Sequence, residues 1–194
     1  MKLTIKTAPS VEPVTIAEAK THLRITASDD DTYIANLITA IREYIELRVR
    51  RALITQTWNL YLDGWPAGTS IELPRPPLQA TGVSVTYTDV DGTDTVFAAT
   101  NYDVDTDSEP GRIVLGYGIS WPSATLRPMN PIDVEFKAGF GDASTSVPEI
   151  YRQAMLIAIS DLYENRESIV LTGAVPQSIP TLDRLLAIDR IPRW

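Results

Sequence analysis

The chain has 194 residues, enough for one or two domains with a sizeable core. It is 44% hydrophobic with a formal net charge of −8, a balance that argues against wholesale disorder and against general affinity for a phosphate backbone. It has no cysteine, which excludes disulfides, thiolate metal sites and cysteine nucleophiles together. The opening Met1-Lys-Leu-Thr-Ile-Lys6 lacks the apolar core of a secretion signal, and no apolar run approaches the roughly 18 residues that span a bilayer. Thr15 with Glu18 three residues on forms the reciprocal pattern of a capping box, opening a short helix that ends near Arg24 or Ile25. A second helix follows, with Ser28 or Asp29 as cap and Asp30 and Asp31 placed favourably against the N-terminal dipole. Its apolar residues Ile34, Leu37, Ile38, Ile41, Ile45, Val49 and Ala52 step by three and four, on one face. Arg48, Arg50 and Arg51 fall in its last turn, and at about 23 residues it would reach roughly 35 Å.

From Ile54 the apolar period changes from 3.6 to 2. Ile54, Gln56, Trp58, Leu60 and Leu62 share one strand face. Asp63-Gly64 and Trp65-Pro66 turn the chain, 71–73 is a short strand, and Pro74, Pro76 and Pro77 then prevent regular pairing. Val83, Val85 and Tyr87 alternate, and Asp91-Gly92 is a strong hairpin turn leading into Thr95-Val-Phe97. Tyr102-Asp-Val104, Arg112-Ile-Val-Leu115 and Ile132-Asp-Val-Glu-Phe136 bring the total to about six or seven short strands, the spacing of a small antiparallel sandwich or barrel. Helical character returns at Val147-Pro148, with proline in the first turn, and Ala154-Met-Leu-Ile-Ala-Ile159 is apolar on every face. A loop with Gly173, Pro176 and Pro180 precedes Leu182, Leu185, Leu186 and Ile188 at helical spacing, then Ile191-Pro-Arg-Trp194. The fold class is α+β: a helical core from 1–52 and 147–180, an inserted β-rich domain at 53–146, and a C-terminal helical arm at 181–194. The helices near 32–51 and 147–166 are expected to pack together, because each has an apolar face too large for its neighbouring loops to cover.

The charge is unevenly placed. Residues 53–147 carry 4 basic and 12 acidic side chains, so the middle holds the whole imbalance and should repel nucleic acid. No catalytic constellation is visible. His22, the only histidine, lies beside Lys20 and Arg24 with no nucleophile or carboxylate pointing to it. There is no Gly-x-Ser-x-Gly elbow, Walker signature or His-Glu-x-x-His, and Gly139-Phe-Gly-Asp142 reads as the turn leaving the last strand. Asp89, Asp91 and Asp94, and then Asp103, Asp105 and Asp107, have the alternation that a hard cation favours. An EF-hand needs a glutamate at its twelfth position, where Thr100 stands, so hairpin-turn chemistry is the preferred reading of the first cluster and a solvated strand edge of the second. No metal and no cofactor is expected. Trp194 would bury about 150–250 Å² when packed, either folded back on its own core or inserted into a neighbour.

Three passages carry a family resemblance. They are Glu12-Pro-Val-Thr-Ile-Ala-Glu-Ala-Lys-Thr-His-Leu-Arg24 with the acidic stretch and then Tyr33-Ile to Arg42-Glu-Tyr-Ile after it, Arg51-Ala-Leu-Ile-Thr-Gln-Thr-Trp58, and Val147-Pro-Glu-Ile-Tyr-Arg-Gln-Ala-Met-Leu-Ile-Ala-Ile-Ser-Asp-Leu-Tyr-Glu-Asn-Arg-Glu167. Together with the Arg75-Pro-Pro-Leu, Gly-Trp-Pro and Gly-Phe-Gly-Asp punctuation, they resemble the head–tail connector (adaptor) proteins of tailed bacteriophages and prophages. The resemblance implies a structural virion protein, synthesised in the host cytoplasm, that forms a homo-oligomeric ring of about twelve copies beneath the portal protein. It also implies a stopper or tail-completion protein as the partner below, and genomic DNA that passes through without specific binding. Carried onto this chain, it places portal contacts at Leu182, Leu185, Leu186, Ile191, Arg193 and Trp194. Subunit contacts fall at Ile34, Ile41, Tyr44, Arg48, Arg51, Tyr151, Met155 and Tyr163, and an acidic channel lining at Asp89, Asp91, Asp94, Asp103 and Asp105. Two other classes remain: another neck or tail structural protein, such as a stopper or tail-end protein, and a small β-rich hydrolase or carbohydrate-binding module using Trp58, Trp65, Tyr87 and Trp121.

Overall fold

A computed structural model describes residues 1–165 and Leu186, and the chain divides into two compact units. One comprises Met1–Pro9 and Thr55–Gly139, the other Ser10–Ile54 and Phe140–Trp194.

The first unit is built of antiparallel strands. A five-stranded sheet has the order β1 (Lys2–Thr7), β2 (Gln56–Leu62), β8 (Ile132–Ala138), β4 (Ser84–Thr88), β5 (Asp94–Phe97). A three-stranded sheet has the order β3 (Ser70–Leu73), β7 (Gly111–Leu115), β6 (Tyr102–Asp105). Register follows the apolar alternation: Trp58 faces Phe136, Leu60 faces Val134, Val85 faces Val134, and Ile71 faces Ile113. A slip of one residue would turn this set outward, so burial fixes the pairing. Among the described residues both sheets are open, ending in edge strands rather than closing as a barrel. β1 was not anticipated, and it corrects the placement of residues 1–9 in the helical core. Leu3 and Ile5 alternate with charged and hydroxyl side chains, and the segment pairs with β2 from Lys2 opposite Tyr61 to Thr7 opposite Thr57, with an irregularity between Ile5 and Thr7. At Asp91-Gly92 the hairpin forms as read: Gly92 has φ +82°, and β4 and β5 pair from Val85 opposite Phe97 to Thr88 opposite Asp94.

One polar pair inside this unit makes a stability prediction. The Asn59 amide donates to both carboxylate oxygens of Asp133, at 2.9 and 2.8 Å, while the buried Asn59 Oδ1 has no partner. Burial pushes the Asp133 carboxyl above the ordinary carboxylate range. The native state therefore holds the proton more tightly than the unfolded chain, and stability falls as pH rises from the ordinary value through the raised one. Asp133→Asn removes that loss and offers Asn59 Oδ1 a donor. The variant is expected to be about 0.5–1 kcal/mol more stable at neutral pH, with the gain vanishing at acid pH. Urea unfolding at the two pH values measures it, and a destabilised variant at neutral pH would contradict it.

The second unit is helical: α1 (Ile16–Leu23), α2 (Asp31–Val49) and α3 (Glu149–Glu164). α1 opens on the expected capping box, the Thr15 hydroxyl accepting from Glu18 N at 3.2 Å and the Glu18 carboxylate accepting from Thr15 N at 2.8 Å. Those bonds, the backbone one foremost, hold the Glu18 carboxyl below its usual range. α2 is shorter than expected, 19 residues, because Arg50 turns left-handed at φ +62° and closes the helix on Glu46 O. Asp30 is its N-cap rather than Ser28 or Asp29, and its side chain accepts from the Tyr163 hydroxyl instead of capping the helix. α2 and α3 pack together as anticipated: Ile34, Ile38, Ile41, Ile45 and Val49 join Tyr151, Ala154, Met155, Ala158 and Ile159 in one core, with Val14, Ala19, Leu53, Ile54 and Val147. The run 154–159, apolar on every face, is not buried on every face: Ala154, Met155, Ala158 and Ile159 are buried, Leu156 and Ile157 only partly. The Gly139–Asp142 turn leaves β8 as read, and a Cβ on Gly141 would lie 2.6 Å from Ser146 Oγ.

Candidate functional site

The surface of the helical unit is set by which side chains its core consumes. Going around α2 at about 100° per residue, Ile34, Ile38, Ile41 and Ile45 form the inward face. Arg42 and Glu46 lie on its flank, both buried. The Arg42 guanidinium reaches Glu12 at 2.8 Å through Nε and Glu46 at 3.0 Å, and the second Glu46 oxygen accepts the Leu53 backbone N–H at 2.8 Å. Thr39 Oγ1 donates to the other oxygen of Glu12 at 2.9 Å. This network ties the chain before α1 and the chain after α2 to one helix. Arg152 on α3 makes a second tie, donating to the Pro13 carbonyl at 3.1 Å and pairing with Glu149 at 2.9 Å and with the capping carboxylate of Glu18. On the outward face of α2 stand Asn36, Ala40, Glu43, Tyr44, Leu47 and Arg48. Tyr44 is 51% exposed and Leu47 65%, large apolar groups left in water on adjacent turns.

That map sorts the expected subunit-contact residues. Tyr44 and Arg48 are on the surface and Tyr163 is half-buried beside Tyr33, with ring centroids 6.0 Å apart. Ile34, Ile41, Tyr151 and Met155 are all inside the unit's own core, and Arg51 is buried as well. This corrects their assignment to a contact surface: the apolar stripe that made them conspicuous is the stripe that pairs α2 with α3. Leu186, expected to face the portal, is helical and 2% exposed in the same core cluster, a second correction. Leu182, Leu185, Ile191, Arg193 and Trp194 lie outside the described residues. Sequence reading missed Leu47, which steps three residues on from Tyr44, and the Arg42–Glu46 pair, an i,i+4 opposite-charge pair beside an apolar stripe.

The acidic residues of the β unit are held by turn chemistry. Asp89 Oδ1 accepts from the N–H groups of Asp91 and Thr93 at 3.0 and 2.9 Å, and Asp94 accepts from Thr88 Oγ1 at 2.6 Å. Asp105 accepts from the Ser108 hydroxyl at 2.7 Å, from its backbone N–H, and from Arg112 opposite it at 2.9 Å, which takes its pKa down to about 2. Asp91 and Asp103 are exposed, Asp103 on the edge strand β6. Among the described residues no cluster of His, Asp and Glu could hold a metal ion, and no helix is long and apolar enough to cross a membrane. The aromatics considered for sugar stacking cover one another: Trp65 stacks on Trp121 at 4.8 Å and 8°, with Tyr87 and Phe97 against Trp65 at 5.8 and 6.1 Å. Trp121 Nε1 donates to the Gly68 carbonyl at 2.8 Å, and Arg75 lies 5.4 Å over the Trp58 ring. Trp65 and Trp121 thus pin their two loops together, while Trp58 and Tyr87 belong to β2 and β4.

The helical unit thus leaves large apolar groups on its outward face, and the stacked rings of the β unit pack on one another. Residues 13–82, from the start of the capped helix through α2 and the first strands after it, match the phage gp6-like head-tail connector protein family, so the resemblance read from the sequence holds over that stretch. Along its whole length the chain is similar to solved structures. It is 27% identical, with a TM-score of 0.82, to a chain in the neck of an empty GTA particle computed with C6 symmetry, covering 100% of this chain and 97% of that one. A chain in the virion of a native gene transfer agent (GTA) particle is 25% identical at TM-score 0.80, with the same coverage. A chain in the neck of a native GTA particle computed with C12 symmetry is 26% identical at 0.77, again covering 100% and 97%. A comparison with curated proteins found no match.

Proposed function

We propose that this chain is a structural protein of the neck of a phage-like particle, a head–tail connector that joins a DNA-filled head to its tail. The observation that carries it is the full-length likeness to neck chains, with both units represented, alongside the connector family match over residues 13–82. Its place is the virion neck. Its working form is a homo-oligomeric ring, for which the C6 and C12 symmetry of those necks is the support. The ring sits between a portal protein above and a stopper or tail-completion protein below, and the genome passes through it. The β unit suits a surface near moving DNA: Met1–Pro9 and Thr55–Gly139 carry 11 acidic against 6 basic side chains, and carboxylates repel phosphates. Exposed Asp91 and Asp103 are the side chains available for that role, whereas Asp89, Asp94 and Asp105 are engaged by hydrogen bonds at their own strand ends and turns. Tyr44 and Leu47 are the residues of α2 best suited to subunit contact, and Leu182, Leu185, Ile191, Arg193 and Trp194 remain the candidates for gripping the portal. Disrupting the gene in the particle-producing strain tests the reading. Electron microscopy should then show separate heads and tails, restored to joined particles by the gene in trans. Normal particles in its absence would overturn it.

A further inference from the structure

A closed ring of identical copies needs two different, complementary patches on each subunit, and in a ring of twelve they point about 150° apart. The helical unit has such a pair. On one flank of α2 is a groove of about 560 Å³ lined by Val11, Ile16, Ala35, Thr39 and Ala143 among others. Val11 is 40% and Ile16 37% exposed at this groove, so it offers an apolar lip. On the outward face stands Leu47, with Tyr44 toward the flank away from the groove. At about 100° per residue, Tyr44 lies roughly 180° around α2 from Ala35, and Leu47 roughly 120°. The core face of α2 separates Ala35 from Tyr44, and the exposed side that carries Asn36 and Glu43 separates Ala35 from Leu47, so on one rigid helix neither patch reaches the other within one copy. We infer that Tyr44 and Leu47 of one copy seat in the Val11–Ile16–Ala35 groove of the next, as the lateral contact of the ring. The occupant is a second copy of this chain because the likeness to a neck chain computed with C12 symmetry extends over 100% of this chain. A tyrosine suits a knob of this kind, since it carries large apolar area with few rotatable bonds and a polar tip for the rim. The inference rests on the ring reading above and names its surfaces.

The absence of native cysteine makes the test direct. Tyr44→Cys and Ala143→Cys, both at exposed positions, are combined in the full chain and treated with a short bis-maleimide, as purified protein and in assembled particles. The double variant should give a ladder of covalent multimers ending in a closed ring, and neither single variant should. In unlinked protein, Tyr44→Ala should raise the concentration for half-assembly more than tenfold. A dimer from Tyr44→Cys alone would signal a two-fold contact and overturn the inference. Rings seen by native mass spectrometry or microscopy without a ladder would overturn this pairing while leaving the connector reading intact. Absence of rings from both purified protein and particles would overturn both.

Discussion

Arg42→Met is expected to destabilise the helical unit by about 3–5 kcal/mol, the cost of removing one partner from a buried charge network. Arg42 is buried and its guanidinium contacts Glu12 at 2.8 Å and Glu46 at 3.0 Å. A methionine fills much of the same volume but supplies no charge, so two carboxylates lose their shared cation inside or at the edge of the core. Against a total stability of about 5–15 kcal/mol for a domain, this is a large fraction. Arg42→Lys keeps the charge but cannot span both carboxylates with a rigid fork, so its cost is intermediate. Combining Arg42→Met with Glu46→Gln should recover part of the loss. The carboxamide oxygen of that second substitution can still accept the Leu53 N–H that Glu46 Oε1 accepts at 2.8 Å, and it removes the charge of the more buried carboxylate, leaving only the half-buried Glu12 without Arg42. Denaturant unfolding followed by helical circular dichroism reads all three. A loss under about 1 kcal/mol for Arg42→Met would show that the network is replaceable by packing alone.

Much of this organisation is written in local pattern. The 3.6-residue step from Ile34 to Val49 and the period-2 alternation at Trp58 and Leu60 separate the helical from the β segments, and Thr15 with Glu18 marks a helix start to the residue. The hairpin at Asp91-Gly92 is legible because few residues take the left-handed conformation that its turn needs, and Gly92 takes it at φ +82°. The failures share a cause. β1 is an edge strand of the five-stranded sheet, and Lys2-Leu-Thr-Ile-Lys6 reveals its alternation only once β2 is there to pair with it. The subunit-contact residues were misplaced because a sequence shows that Ile34, Ile41, Tyr151 and Met155 seek an apolar surface but not whose. α2 and α3 satisfy each other, and what remains for a neighbour is the less conspicuous pair Tyr44 and Leu47. The turn chemistry read at Asp89 holds, its carboxylate accepting from Thr93 N–H, whereas Asp105, read as part of a solvated strand edge, accepts from Ser108 and from Arg112 opposite it. In each case tertiary pairing chose among partners that local pattern leaves equivalent.

Removing residues 188–194 is expected to leave a folded protein that no longer joins portal-containing particles, so that filled heads fail to acquire tails and lose their DNA. The deletion stops short of Leu186, whose side chain is 2% exposed in the helical core, so the core keeps its own contribution from this end of the chain. What is lost is Ile188, Ile191, Arg193 and Trp194, which include the two residue types most enriched at binding hot spots. A hot-spot tryptophan contributes on the order of 2 kcal/mol or more, so Trp194→Ala alone should weaken portal docking by roughly 30-fold, and the full deletion by more. Co-sedimentation with portal-containing heads measures docking, and infectious or transducing titre measures its consequence. The buried Leu186 sharpens the alternative, in which this end of the chain serves only its own fold. On that account the deletion lowers the unfolding midpoint while docking per folded molecule stays unchanged, whereas an anchor loses docking at an unchanged midpoint. A truncated chain that docks normally and supports full titre would show that the portal is gripped elsewhere on the helical unit.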